Sequence, residues 1–128
     1  MTASGKNRKI LVVEDDSDTL ALIQHFLKDT AYEIITSRRG DVAYQVVRDV
    51  QPDLAIIDGL IPGIHGFELC QKIKDDPVIV KKPKIILMSS VYTAQKYKFE
   101  VVEFKPDAFM TKPFSKNDLL SKITELIT

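Results

Sequence analysis

Residues 54–62 read LAIIDGLIP: four apolar residues run straight into a lone carboxylate, Asp58, then a glycine, two more apolar residues and a proline. Unbroken apolarity over a short run describes a strand buried on both faces. The acid, glycine and proline mark where that strand stops and turns. Similar runs bounded by charge occur at residues 10–13 (ILVV), 32–36 (YEIIT), 85–88 (IILM) and 108–110 (AFM). Between and after them the apolar residues are spaced as on helices: Leu20, Ile23 and Leu27; Ala43, Val46, Val47 and Val50; Phe67, Cys70 and Ile73. Two further sets, Tyr97, Val101 and Phe104 within residues 93–104 and Leu119, Leu120, Ile123 and Ile127 within residues 116–127, complete five strand-helix units. This alternation predicts an α/β fold, a doubly wound five-stranded parallel sheet with five helices over its two faces.

The chain has 128 residues, room for one domain and one core. We expect a flexible N-terminus over residues 1–8 and the folded domain over 9–128. Hydrophobic residues make up 45%, and 18 basic side chains cancel 18 acidic ones. That balance removes the long-range field a nucleic-acid or anionic-membrane binder uses. The single cysteine, Cys70, cannot form an internal disulfide and reads as a small core residue. No run approaches the roughly 20 apolar residues of a membrane span, and the polar N-terminus has no apolar leader segment. The expected location is the cytoplasm.

Parallel strands end at one sheet edge, and ligands bind there in open α/β folds. Residues that follow the strands are therefore neighbours in space: Glu14, Asp15 and Asp16 after the first, Asp58 after the third, Ser89 and Ser90 after the fourth, Thr111 and Lys112 after the fifth. Carboxylates crowded together repel unless a cation neutralises them. Oxygen-only ligands select a hard divalent ion, magnesium first and manganese second. A carboxylate beside such an ion can attack a phosphoryl group, forming an acyl phosphate on Asp58, with Lys112 and Ser89 to hold phosphoryl oxygens. Gly59 keeps the backbone beside the acid narrow, which favours close approach.

Over nearly its whole length the sequence resembles the receiver domains of two-component response regulators, most simply the free-standing CheY-like receivers. The motifs are ILVVEDD, IIDGLIPGIHGFEL, ILMSS and TKPF. The resemblance implies a flavodoxin-like sheet of order 2-1-3-4-5. It implies that Glu14 and Asp15 bind the metal, Asp15 directly. Asp58 is then phosphoacceptor and metal ligand, with the backbone carbonyl of Leu60 completing the coordination. Ser89 and Lys112 hold phosphoryl oxygens, Phe109 is the aromatic switch, and the Lys112–Pro113 bond is commonly cis. The implied donor is a sensor histidine kinase or phosphotransfer protein. The implied output is a downstream protein target meeting the face built from the fourth helix, fifth strand and fifth helix, also a homodimer face among relatives. Here that face draws on Lys96, Lys98, Lys105 and Lys116 with Tyr97, Phe99 and Phe104.

Plainer roles compete at some positions. Asp16, Ser17 and Asp18 read as helix caps. His25 and His65 lack metal-ligand spacing and belong on a helix margin and a turn, and Lys81, Lys82 and Lys84 read as a solvated loop. The chain departs from the family at Lys105 and Pro106, at His65, and at Ser89, where threonine is usual. The alternative function is a receiver-like interaction module that works without phosphate. A small magnesium-dependent phosphatase or nucleotide binder fits worse, because the acidic VVEDDSD after the first strand would repel phosphates. The resemblance implies a signalling domain rather than an enzyme, one that catalyses only its own phosphorylation and dephosphorylation.

Overall fold

Strand β3 (Leu54–Asp58) is the centre of the molecule, with all five residues buried. Around it a computed structural model, describing residues 8–90, 95–96 and 106–127, places β1 (Lys9–Val13), β2 (Glu33–Ser37), β4 (Lys84–Ser90) and β5 (Ala108–Lys112). All neighbouring pairs are parallel, in the order β2-β1-β3-β4-β5. The described helices are α1 (Ser17–Leu27), α2 (Gly40–Val50), α3 (Gly66–Asp75) and α4 (Lys116–Ile127). The remaining expected helix, over residues 93–104, lies outside the described residues except for Gln95 and Lys96, which are helical.

Period-two alternation divides the core into two layers. On one face Leu11, Val13, Ala55, Ile57, Ile85 and Leu87 meet Ala43 and Val47 of α2 and Phe67, Leu69, Cys70 and Ile73 of α3. On the other, Ile10, Val12, Leu54, Ile56, Ile86 and Met88 meet Leu20, Ile23 and Leu27 of α1 and Leu119, Ile123 and Ile127 of α4. Each of the valine, leucine, isoleucine, methionine and phenylalanine side chains contributes about 1.5–3 kcal/mol by leaving water. Cys70 belongs to this core, and burial pushes its thiol up to about 11, so it is not a thiolate at neutral pH. Among the described residues no helix is long and apolar enough to cross a membrane.

Burial on both faces holds for β1 and β3 but not at the sheet edges. In β2, Glu33 and Thr36 are exposed and Ile34 and Ile35 only half-buried, because an edge strand has a neighbour on one side. Val50, spaced with the apolar face of its helix, is exposed at the end of α2, where Gln51 turns left-handed before the chain enters β3. Asp16 caps α1, its Oδ2 accepting the Thr19 N–H at 2.9 Å and the Thr19 hydroxyl at 2.7 Å, worth about 1 kcal/mol. The lysine loop is not simply solvated. Lys81 pairs with Asp53 at 2.7 Å, and Lys82 donates to the carbonyls of Ile73 (3.0 Å) and Asp76, fastening the α3–β4 connection.

Candidate functional site

At the C-terminal sheet edge Glu14 and Asp15 lie just beyond β1, as expected, but the other polar residues belong to the strands themselves. Asp58 ends β3, Ser89 lies inside β4 and Lys112 ends β5. Two-residue alternation then sets their directions. Asp58 lies two positions beyond Ile56, Lys112 two beyond Met110 and Glu14 two beyond Val12, so all three continue the face that packs on α1 and α4. Ser89 lies two beyond Leu87 and continues the opposite face. The hydroxyl therefore approaches the edge from the side of α2 and α3.

Glu14 is fully buried and Asp58 8% exposed. Lys112 Nζ joins them, 2.6 Å from Glu14 Oε1 and 3.3 Å from Asp58 Oδ2. The second Glu14 oxygen accepts the Asp16 N–H at 3.3 Å, and Asp58 Oδ1 accepts the Leu60 N–H at 3.4 Å. Burial raises the Glu14 carboxyl above its ordinary value and the neighbouring Asp58 adds to this, while Lys112 opposes. For Lys112, burial works against the ammonium, but Glu14 and Asp58 outweigh it and raise its pKa, so the amine stays charged.

Exposed Asp15 joins this pair: one carboxylate oxygen each from Glu14, Asp15 and Asp58 lie within 4.8 Å of one another. Three acids against one ammonium leave a net negative pocket of oxygen donors, the chemistry that suits a magnesium-like ion and not zinc. Ser89, 1% exposed, has a hydroxyl with no hydrogen-bond partner among the described residues. A buried hydroxyl left unpaired costs about 1–3 kcal/mol, which makes this atom a prepared donor.

The surrounding loops are held close by glycines. The Gly66 N–H donates to the Gly59 carbonyl at 3.0 Å, and a Cβ on Gly66 would lie 2.0 Å from the Asp58 carbonyl oxygen. At Gly59 a Cβ would lie 2.8 Å from Phe67 Cε2, so the room there is filled by an aromatic ring from α3. Glycine at 59 is thus required by the Phe67 ring, beside the narrow backbone expected next to the acid. Gly66 is the closer contact, and its position before FELC, at the start of a helical pattern, was the available signal.

Phe109 is half-buried on β5, opposite Leu87, and packs on the α2/α3 core layer. With Thr111, Phe114, Asp118, Ser121 and Lys122 it lines a surface cleft of about 400 Å³ between β5 and α4. Lys96 and Lys116 are exposed, whereas Tyr97, Lys98, Phe99, Phe104 and Lys105 lie outside the described residues. His25 and His65 are exposed, and the Lys112–Pro113 peptide is cis. One contact had no counterpart in the sequence reading: Arg38, just past β2, reaches the acidic turn, its Nη2 2.7 Å from the Asp15 carbonyl and 2.9 Å from Ser17 Oγ.

A family model of the response regulator receiver domain matches residues 10–124. Among curated proteins, the alkaline phosphatase synthesis transcriptional regulatory protein PhoP of Bacillus subtilis (strain 168) is 29% identical over 124 residues, 94% of this chain and 49% of its own length. The chain thus spans about half the length of the curated transcriptional regulators it matches. Among solved structures, a putative response regulator from Chloroflexus aurantiacus J-10-fl superposes with a TM-score of 0.85 at 25% identity, over 95% of this chain and 98% of that one. The receiver domain of sensor histidine kinase PA1611 from Pseudomonas aeruginosa PAO1, which has a magnesium ion coordinated in its active site cleft, shares the fold at 20% identity. Its TM-score is 0.85, over 95% and 98% of the two chains.

Proposed function

Given that the chain belongs to the response regulator receiver domain family, we propose that it accepts a phosphoryl group on Asp58 from a sensor histidine kinase or phosphotransfer protein. An Asp58 carboxylate oxygen attacks the phosphorus of a phosphohistidine. The new O–P bond forms as the P–N bond breaks, and the bonding pair leaves with the imidazole nitrogen. The product is an acyl phosphate on Asp58.

Each neighbour has a task in that transfer. Asp15, Asp58 and the Leu60 carbonyl hold magnesium, or manganese in its place, with Glu14 completing the acidic set. When bound, the ion supplies positive charge that screens the acids from the incoming phosphoryl oxygens. Lys112, already 3.3 Å from Asp58 Oδ2, transfers its charge-assisted contact to a phosphoryl oxygen. Ser89 donates its hydroxyl to another. The observation that supports this reading most is the Ser89 hydroxyl, buried and without a partner among the described residues at the end of β4, the strand next to β3.

Phosphorylation adds about −1.5 to −2 charges to the pocket. Ser89 moves toward them, Phe109 turns inward behind it, and the face of β5, α4 and the segment before β5 changes shape for a downstream protein or a second copy. Driving that switch from 1:99 to 99:1 takes about 5.5 kcal/mol of differential interaction, within reach of several charge-assisted contacts. Fluorine NMR with beryllofluoride, a phosphoryl mimic, tests the reading. A bound signal that requires magnesium and is lost in Asp58→Ala supports it, and a signal independent of Asp58 contradicts it.

A further inference from the structure

The acidic turn after β1 carries the residues on which cation binding depends, yet Asp15 is exposed and follows the end of the strand. A ligand on an exposed turn binds weakly unless the turn is braced, since ordering it on binding subtracts from affinity. Two contacts supply a brace, and both come from the end of β2. The Glu14 N–H donates to the Ser37 carbonyl at 3.0 Å, continuing the parallel ladder one step past β1. Arg38 then reaches across 23 positions of sequence, and its Nη2 donates to the Asp15 carbonyl and to Ser17 Oγ. One guanidinium thus ties the residue carrying the exposed acid to the first residue of α1. Arg39 next to it does nothing comparable: it pairs with Asp41, two positions along its own segment.

We propose that Arg38 is a positioning residue for the cation site, locking the Glu14–Ser17 turn through the Asp15 carbonyl and Ser17 hydroxyl so that the Asp15 carboxylate is held ready for a divalent ion. The inference rests on the reading of Glu14, Asp15 and Asp58 as a magnesium site. Arg38 touches neither the ion nor the phosphoryl group in this account. Its charge alone acts in the opposite sense, because a cation near the site repels magnesium, though an exposed one is screened. Positioning and repulsion therefore predict opposite results.

Magnesium titrations of the wild type, Arg38→Lys and Arg38→Met, followed by amide NMR shifts around Asp58, separate the two. Lysine keeps the charge, but its shorter side chain stops short of the two acceptors that Nη2 reaches, and methionine loses both charge and donors. Positioning predicts that both variants bind magnesium roughly two- to tenfold more weakly, the worth of one or two exposed hydrogen bonds. It also predicts that amide exchange at Asp16 and Ser17 accelerates in the ion-free protein and that labelling of Asp58 at saturating magnesium is unchanged. Unchanged affinity in Arg38→Lys, or tighter binding in Arg38→Met, overturns the proposal, as does a wild type that binds no magnesium. Weaker binding in both variants with no labelling of the wild type would leave Arg38 as a positioning residue and discard the phosphoacceptor reading.

Discussion

Lys112 Nζ lies 2.6 Å from Glu14 Oε1, although 98 positions of sequence separate the two residues. The pair joins the ends of β5 and β1, strands that are not neighbours, across the end of β3 and Asp58. Glu14 has no access to water, so removing the ammonium leaves a buried acid beside a second one. We expect Lys112→Met to lose about 1–3 kcal/mol in urea unfolding without divalent ions, the partial exposure of Lys112 keeping it below the value for a fully buried pair. Added magnesium narrows that deficit. A variant as stable as the wild type would show that the acids need no counter-charge.

Ser89 gives a prediction in which stability and function diverge. Its hydroxyl is buried without a partner among the described residues, so Ser89→Ala removes a desolvated group and leaves stability unchanged or raises it by up to about 1 kcal/mol. A charge-assisted hydrogen bond to a phosphoryl oxygen is worth about 1.5–3 kcal/mol, so the same substitution weakens beryllofluoride binding by roughly one to two orders of magnitude. Denaturant titration and fluorine NMR read the two effects separately. Loss of stability with unaltered binding would mean that the hydroxyl has a structural partner instead.

Much of this was legible in the sequence because parallel strands were. Apolar runs ending in Asp58, Ser89 and Lys112 announced both the sheet and its polar edge, since one topology places every strand end together. Boundaries shifted by a residue or two because backbone pairing continues past the apolar residues: Ser89, Ser90, Thr111 and Lys112 are all laddered. Edge exposure of β2 follows only from the strand order that the resemblance implies, because YEIIT has the same apolar run whether it has one neighbour or two. Arg38 was missed although the edge rule covers it. It follows β2 as Asp58 ends β3, but a lone arginine beside another arginine and a glycine reads as a turn. Lys81 and Lys82 read as solvated in the sequence because their partners, Asp53 and the end of α3, are identifiable only from the fold.

Gly66 and Gly59 differ in what a methyl group would strike. At Gly66 it meets the Asp58 backbone carbonyl at 2.0 Å, and at Gly59 the edge of the Phe67 ring at 2.8 Å. A ring can shift where a strand carbonyl cannot. Gly66→Ala therefore loses at least about 2 kcal/mol, and Gly59→Ala distinctly less, in parallel urea titrations. Equal losses would contradict the close packing of α3 on β3.

The opposite sheet edge carries a pH dependence. Burial alone would raise the Asp53 carboxyl, but Lys81, the Lys9 N–H and Arg8 favour its ionised form and hold it below its ordinary 3.8. A depressed folded-state value means that this contribution is fully present above pH 3.8 and is lost as pH falls below it. Lys81 is itself exposed, so Lys81→Met costs no more than about 1 kcal/mol at neutral pH. The stability curves of variant and wild type converge as the pH drops below the carboxylate range. Curves that stay parallel would assign the cost to something other than this ion pair.

The proposed transfer leaves the phosphoryl group on Asp58, and locating that group chemically decides whether it does. The protein is incubated with a small phosphodonor and magnesium, the acyl phosphate is trapped by borohydride reduction, and the label is mapped by peptide mass spectrometry. One labelled residue is expected, Asp58, with labelling abolished by chelation of the metal and in Asp58→Asn. A label on any other residue, or undiminished labelling of Asp58→Asn, contradicts it.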